Sequence, residues 1–303
     1  MEKNQFDVIV IGGSFAGLSA ALQIVRARRK VLVIDAGKPR NRFATAAHGF
    51  LSRDGQAPEQ ISRIGKEQFL DYPTAEFIEG KATRATRQGD GSFAVELESG
   101  AVYLGARLIL ATGITDQLPD IPGVRERWGK TVNHCPYCHG YELAGRKWGV
   151  LNVGEASLHQ VKLMVDWSDD VTFFAQGDNR LSADERAELT KRNISIVDSP
   201  VKSLVGDSGT LERVELDNGQ SVPLEALFLT TQTSINNPLI EQLGCELEAG
   251  PFGSMVKTNN FQETTVEGVY AAGDVARSMH TVTWAASDGV TAGAFAHQSL
   301  LAL

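Results

Sequence analysis

The sequence predicts an α/β protein: two tandem Rossmann-like dinucleotide-binding domains, each a three-layer ββα arrangement, the second inserted into the first. Three observations carry this reading. Residues 1–36 run strand, glycine turn, helix, strand. A second unit of the same style spans about 147–175. Gly268 to Asp274 then resumes the strand-and-glycine style of the first unit near the C-terminus. The expected boundaries are 1–114 plus 246–303 for the outer domain and 115–245 for the inserted one.

Each element follows from its residues. Asp7 to Ile11 is a short apolar run, suited to a parallel strand buried on both faces. Gly12-Gly13-Ser14-Phe15-Ala16-Gly17 is the turn, and Leu18 to Arg28, rich in Ala and Leu, is the helix. Lys30 to Ile34 is the next strand and ends in Asp35. Such a turn lets a pyrophosphate approach N–H groups at a helix N-terminus, and an acid after the second strand accepts from a ribose hydroxyl. Ser14 stands where the middle glycine of the fingerprint usually does; a serine fits there if its φ is negative.

Phe93 to Leu97 and Ala101 to Leu104 flank Glu98-Ser99-Gly100 as a hairpin, and Arg107 to Ala111 is a strand running into Thr112-Gly113. Trp148 to Val153, a helix from about Ser157 to Trp167, and Val171 to Phe174 make the second unit. Val214 to Leu216 and Ser221 to Pro223 flank the hairpin turn Asp217-Asn218-Gly219. Leu227 to Thr230 is a strand, Gly268 to Ala272 runs into Gly273-Asp274, and a helix follows from about Val282.

The net charge of −8 and the lack of a basic stripe argue against nucleic-acid and anionic-membrane partners. No run approaches the roughly 18 apolar residues of a membrane helix, and the polar start carries no secretory pattern. The expected location is the cytoplasm, where a close cysteine pair is more often catalytic than structural.

Two of the three cysteines stand together in His134-Cys135-Pro136-Tyr137-Cys138-His139. Cys-x-x-Cys exchanges thiols for disulfides readily, and flanking imidazoles can move protons near neutral pH and favour the thiolate. Zinc is the other chemistry for Cys and His at short spacing. Redox is the favoured reading and no metal is expected, because Cys245 is alone and His48, His159, His280 and His297 are scattered. Either His139 or His134 is the candidate acid–base, with His139 ahead. For His48 ordinary loop packing is expected, and for Cys245 a small buried hydrophobe.

The second turn, Asn152-Val153-Gly154-Glu155-Ala156-Ser157, is a poorer dinucleotide site. Asn152 replaces the first glycine, Ser157 the last, and Glu155 would repel a pyrophosphate. The following strand ends in Ala175-Gln176-Gly177, with neither an arginine for a 2′-phosphate nor an acid for a free ribose.

Taken in order, four motifs resemble the low-molecular-weight thioredoxin reductase family of flavoprotein disulfide oxidoreductases. They are Gly12 to Gly17, Ala111-Thr112-Gly113, Cys135 to Cys138, and Ala271-Ala272-Gly273-Asp274-Val275. The resemblance implies an FAD-binding domain made from both chain ends, redox cysteines in the inserted NAD(P)-like domain, and commonly a homodimer. It assigns Gly12, Gly13, Ser14, Phe15, Ala16, Gly17, Asp35, Ala111, Thr112, Gly113, Gly273 and Asp274 to the cofactor, with Asp35 at the adenosine ribose and Asp274 at the ribityl chain. It implies that Cys138 faces the flavin and Cys135 meets the substrate. The departures at 152–157 and 175–177 speak against NADPH and resemble the dithiol oxidase branch. The expected partner is therefore a dithiol or disulfide, small molecule or thioredoxin-like protein. The alternatives are an NADPH-dependent thioredoxin-disulfide reductase and, in another class, a non-catalytic FAD-binding redox sensor.

Overall fold

The computed structural model describes residues 4–177, 180–207 and 209–301. The chain divides into two compact units. The first holds the chain up to Arg42, Phe50–Thr115 and the chain from Thr233 onward. The second holds Phe43–Gly49 and Asp116–Gln232. The return to the first unit therefore falls at Thr233, earlier than the expected 246. The reason is the short helix Pro238–Leu243, whose Gln242 side chain accepts from the Ala85 N–H at 2.9 Å and donates to the Thr83 carbonyl at 3.2 Å. Phe43–Gly49, expected in the outer domain, belongs to the second unit.

The first unit is built on a seven-stranded sheet. Its parallel core is Ala75–Glu79, Val31–Asp35, Gln5–Ile11, Val102–Leu110 and Val269–Ala271, in that spatial order. Period-two alternation sorts the side chains. Ile9, Leu32, Ile34, Leu108 and Leu110 face one buried cluster, and Val8, Val10, Val31, Val33 and Ile109 face another. Both faces are dry, as short apolar runs demand of a parallel sheet. One face is covered by antiparallel strands, including Phe93–Leu97 with its buried Phe93 and Val95. The other is covered by the helices Phe15–Arg26 and Val282–Ser299. These two helices meet backbone to backbone: a Cβ on Gly289 would overlap the Ala16 carbonyl, and one on Gly293 the Ala20 carbonyl.

Ala101–Leu104 and Arg107–Ala111, expected as separate strands, are one nine-residue strand, Val102–Leu110. Its first half pairs antiparallel with Phe93–Leu97 and its second half parallel with Gln5–Ile11 and Val269–Ala271. Gly105, inside this strand, leaves room for the Ile9 side chain.

The second unit carries a parallel sheet of Ser195–Val197, Val171–Phe174, Trp148–Leu151, Ala226–Phe228 and Val132–Asn133. Trp148, Phe173, Phe174 and Phe228 are fully buried there. A three-stranded antiparallel sheet, Val201–Val205, Arg213–Leu216 and Ser221–Pro223, supplies the third layer. Both units are thus mixed α/β with parallel sheets. Among the described residues no helix is long and apolar enough to cross a membrane.

Candidate active site

The first glycine turn is an open cradle. Gly12 has φ 107°, and a Cβ on Gly17 would overlap the Gly12 carbonyl oxygen, so the turn closes only with hydrogen at both places. Ser14 caps the helix Phe15–Arg26 with φ −95°, the negative value a serine accepts, and its side chain makes no capping hydrogen bond. The first-turn N–H groups of that helix are therefore not taken by their own N-cap. Asp35 closes the back of the cradle, its Oδ1 accepting the Gly13 N–H at 3.0 Å. Beside the turn, the Thr112 hydroxyl is buried without a hydrogen-bond partner.

The C-terminal motif adds two carboxylates. Asp274 lies in the 3-10 turn Gly273–Ala276, and its Oδ2 accepts from Arg40 Nη1 at 3.0 Å. Behind it, Asp288 on the last helix is buried and pairs with Arg277 at 2.9 Å. Burial raises the Asp288 carboxyl above its ordinary range; the Arg277 guanidinium opposes this, and the nearby Asp274 adds to it. Arg277 also lies over the Trp284 ring, 5.1 Å from its centroid.

In the second unit, Cys135 and Cys138 form a disulfide with Cα atoms 5.3 Å apart. Proline at the first position starts the short helix Pro136–His139 and sets the return of Cys138 toward Cys135. Cys245 is buried and distant in sequence, with its thiol pKa raised by burial, as expected for an inert core thiol. The two histidines differ sharply. The His134 ring stacks on Trp128, with centroids 5.8 Å apart, and its carbonyl accepts from Gln160. Both ring nitrogens of His139 are buried, and neither makes a hydrogen bond of good geometry, although the Cys135 backbone acts weakly on the ring. Burial lowers the His139 pKa, the His48 imidazole lowers it further, and Glu142 and then the Cys135 carbonyl oppose. His48 Nε2 lies 3.4 Å from Glu142 Oε1. Among the described residues no group of three or more His, Cys, Asp or Glu side chains is placed to hold a metal.

The second glycine turn is closed from within. The Ser157 hydroxyl accepts the Val153 N–H at 3.0 Å and shares a hydrogen bond with Thr230 at 3.2 Å. Asn152 Oδ1 accepts the Gly154 N–H at 3.3 Å, and its amide donates to the Ala175 carbonyl at 3.1 Å. A cavity of about 500 Å³ remains against this turn, lined by Asn152, Glu155, Gln176, Arg180 and Glu185 among others.

The profile of the pyridine nucleotide-disulphide oxidoreductases matches residues 6–289. The chain belongs to this family. It is 33% identical to the thioredoxin reductase tcpT of Claviceps purpurea, over 99% of this chain and 95% of that protein. An oxidoreductase from Agrobacterium tumefaciens superposes with a TM-score of 0.92 at 45% identity, covering 98% of this chain and 99% of that one. HlmI superposes with a TM-score of 0.91 at 39% identity, over 100% of this chain and 94% of the other. The protein is thus an enzyme-family member of the thioredoxin reductase-like type, with the fold those relatives share.

Membership in the pyridine nucleotide-disulphide oxidoreductase family implies FAD, and the first unit fits it. An uncapped helix N-terminus, glycines that admit no side chain, and an unpartnered buried Thr112 hydroxyl are what a bound pyrophosphate and its neighbours would use. Arg40, Glu142 and Arg180 join the expected residues near these motifs. Arg40 and Glu142 find their partners only through the fold; an acid three residues after His139 was the one available sign. Arg180 lies beyond the strand end at 175–177 where an arginine was sought, yet it reaches the same cavity.

Proposed function

We propose that this protein is an FAD-dependent dithiol/disulfide oxidoreductase that works as a dithiol oxidase using oxygen, or else takes its electrons from a donor other than NADPH. The observation that carries this reading is the self-closed second turn. Its Val153 and Gly154 N–H groups already have Ser157 and Asn152 as partners, and Glu155 adds a negative charge where a pyrophosphate would sit. Cys135 is the residue met by the substrate and Cys138 the one turned to the cofactor. His139 takes the thiol proton, because its buried, neutral-leaning imidazole is a base at neutral pH. His134, stacked on Trp128, is the weaker candidate. Gly12 to Gly17, Asp35, Ala111 to Gly113, Gly273 and Asp274 hold the cofactor, which when bound supplies a two-electron acceptor or donor. The reading includes a cytoplasmic homodimer acting on a small dithiol or a thioredoxin-like protein.

The NADPH-dependent thioredoxin-disulfide reductase is the second reading. Arg180 on the wall of the 500 Å³ cavity favours it, as a cation that could meet a phosphate. The two readings separate in one anaerobic experiment on the flavin-loaded protein. Dithiothreitol is expected to bleach the flavin, with peroxide formed on aeration, and NADPH and NADH are not. Cys138→Ser is expected to abolish the dithiol response. Fast bleaching by NADPH would overturn the oxidase reading, and normal dithiol bleaching in Cys138→Ser would overturn the role given to that cysteine.

A further inference from the structure

The helix behind the closed second turn touches the redox motif at both ends. It runs Glu155–Met164 and buries Ser157, Gln160, Val161 and Met164. Gln160 is 5% exposed, and its side-chain amide donates to the His134 carbonyl at 2.6 Å, one residue before Cys135. Its Oε1 is buried with no hydrogen-bond partner. A buried amide with an unpaired oxygen costs stability, and an apolar side chain would fill the same space without that cost. What the glutamine adds is a fixed His134 carbonyl. Trp167, just past the helix, holds the other end. Its N–H donates to the Met164 carbonyl at 3.0 Å, which prolongs the last turn. Its ring stacks on the fully buried Trp148, with centroids 6.3 Å apart, and meets Tyr137 edge-on at 5.4 Å. A Cβ on Gly140 would come within 2.9 Å of Trp167 Nε1, so the chain leaves the motif pressed against the indole. At the start of the helix, Ser157 ties the Val153 N–H and the Thr230 hydroxyl together. All of these residues belong to the second unit.

We propose, on the reading of Cys135–Cys138 as the redox pair that meets the substrate, that Gln160 and Trp167 are positioning residues for that pair. The helix that carries a dinucleotide turn in other proteins here carries the disulfide, and the closed turn at 152–157 steadies it. In the reaction a substrate thiolate bonds to the Cys135 sulfur as the Cys135–Cys138 bond breaks, and the electron pair leaves on the Cys138 sulfur. The second substrate thiolate then displaces Cys135, so the substrate ends as a disulfide and both cysteines end reduced. Each exchange needs its three sulfurs close to a line. A motif held at both ends keeps the two cysteines within reach of each other, which favours the disulfide over the dithiol.

The test uses the flavin-loaded full chain and reads the redox state of the pair itself. The protein is equilibrated without oxygen in mixtures of reduced and oxidised glutathione, then alkylated and weighed by mass spectrometry. Gln160→Met and Trp167→Leu are each expected to shift the equilibrium about tenfold toward the dithiol, which for two electrons is about 30 mV. Flavin content is expected to stay at the wild-type level, because the cofactor motifs lie in the first unit. Gln160→Glu separates the donated hydrogen from mere filling of space. Its neutral carboxyl can donate to the His134 carbonyl and its carboxylate cannot. Between about pH 5 and 9 its equilibrium, taken as a ratio to wild type at each pH, is expected to start near one and shift toward the dithiol as the carboxyl ionises. A wild-type equilibrium in Gln160→Met or in Trp167→Leu would overturn the role given to that residue. A ratio for Gln160→Glu that departs from one equally at every pH would overturn the hydrogen bond as the cause. A wild-type pair that stays oxidised across the whole series would sink the redox reading, and the positioning roles with it.

Discussion

Ser157 accepts the Val153 N–H at 3.0 Å, filling with its own hydroxyl the place that a pyrophosphate oxygen takes in an open turn. Replacing it with alanine strands a backbone donor and the Thr230 hydroxyl. Ser157→Ala is therefore expected to cost about 1–3 kcal/mol in urea unfolding. Combined with Asn152→Gly and Glu155→Ala, it should create an NADPH-dependent rise in melting temperature that the wild type lacks. An equal rise in the wild type would show that self-closure is no barrier to the dinucleotide.

Arg40 and Asp274 form the most enclosed contact of the cofactor motifs, with side chains 16% and 19% exposed. Arg40→Met leaves a poorly hydrated carboxylate where neutrality was maintained. We expect the flavin absorbance per chain to fall and unfolding to be easier by about 1–3 kcal/mol. Full flavin content in this variant would mean that Asp274 needs no help from Arg40.

Asp288 ties stability to pH with a defined sign. Its carboxyl is raised by burial above the ordinary 3.8, so the folded chain holds that proton more tightly than the unfolded one. The stabilisation is complete below the ordinary value and is lost as pH rises through the folded value. Each unit of difference is worth about 1.4 kcal/mol. Asp288→Asn cannot ionise and should flatten that fall, read as urea midpoints across the acid range. A slope identical to wild type would mean that Arg277 cancels the burial penalty.

What the sequence made legible is what short-range pattern controls. The run Val8 to Ile11, the glycines behind it and Asp35 stand together because one βαβ unit encodes all of them within 36 residues. The hairpin at Asp217-Asn218-Gly219 is equally local. The turn at 152–157 reads as a poor phosphate site from its residue types, though only the fold shows that Asn152 and Ser157 occupy its donors. What stayed hidden depends on distant partners. His48 meets Glu142 across 94 positions of sequence, and Arg40 meets Asp274 across 234. No periodicity carries such a pairing. The continuity of Val102–Leu110 was hidden for a related reason: Ile9, from another strand, fills the space over Gly105.

The strand Val102–Leu110 has a consequence for how the protein is made. Its second half needs Val269–Ala271 as a neighbour, and that segment leaves the ribosome only after the whole inserted unit has been synthesised. At the usual pace of translation this interval is on the order of ten seconds. Throughout it an apolar strand edge stands open, the kind of edge that invites pairing with another chain. The newborn chain thus spends its most aggregation-prone moments waiting for its own C-terminal segment. A chaperone, faster translation of the last third, or the early folding of the inserted unit would each shorten or shelter that wait.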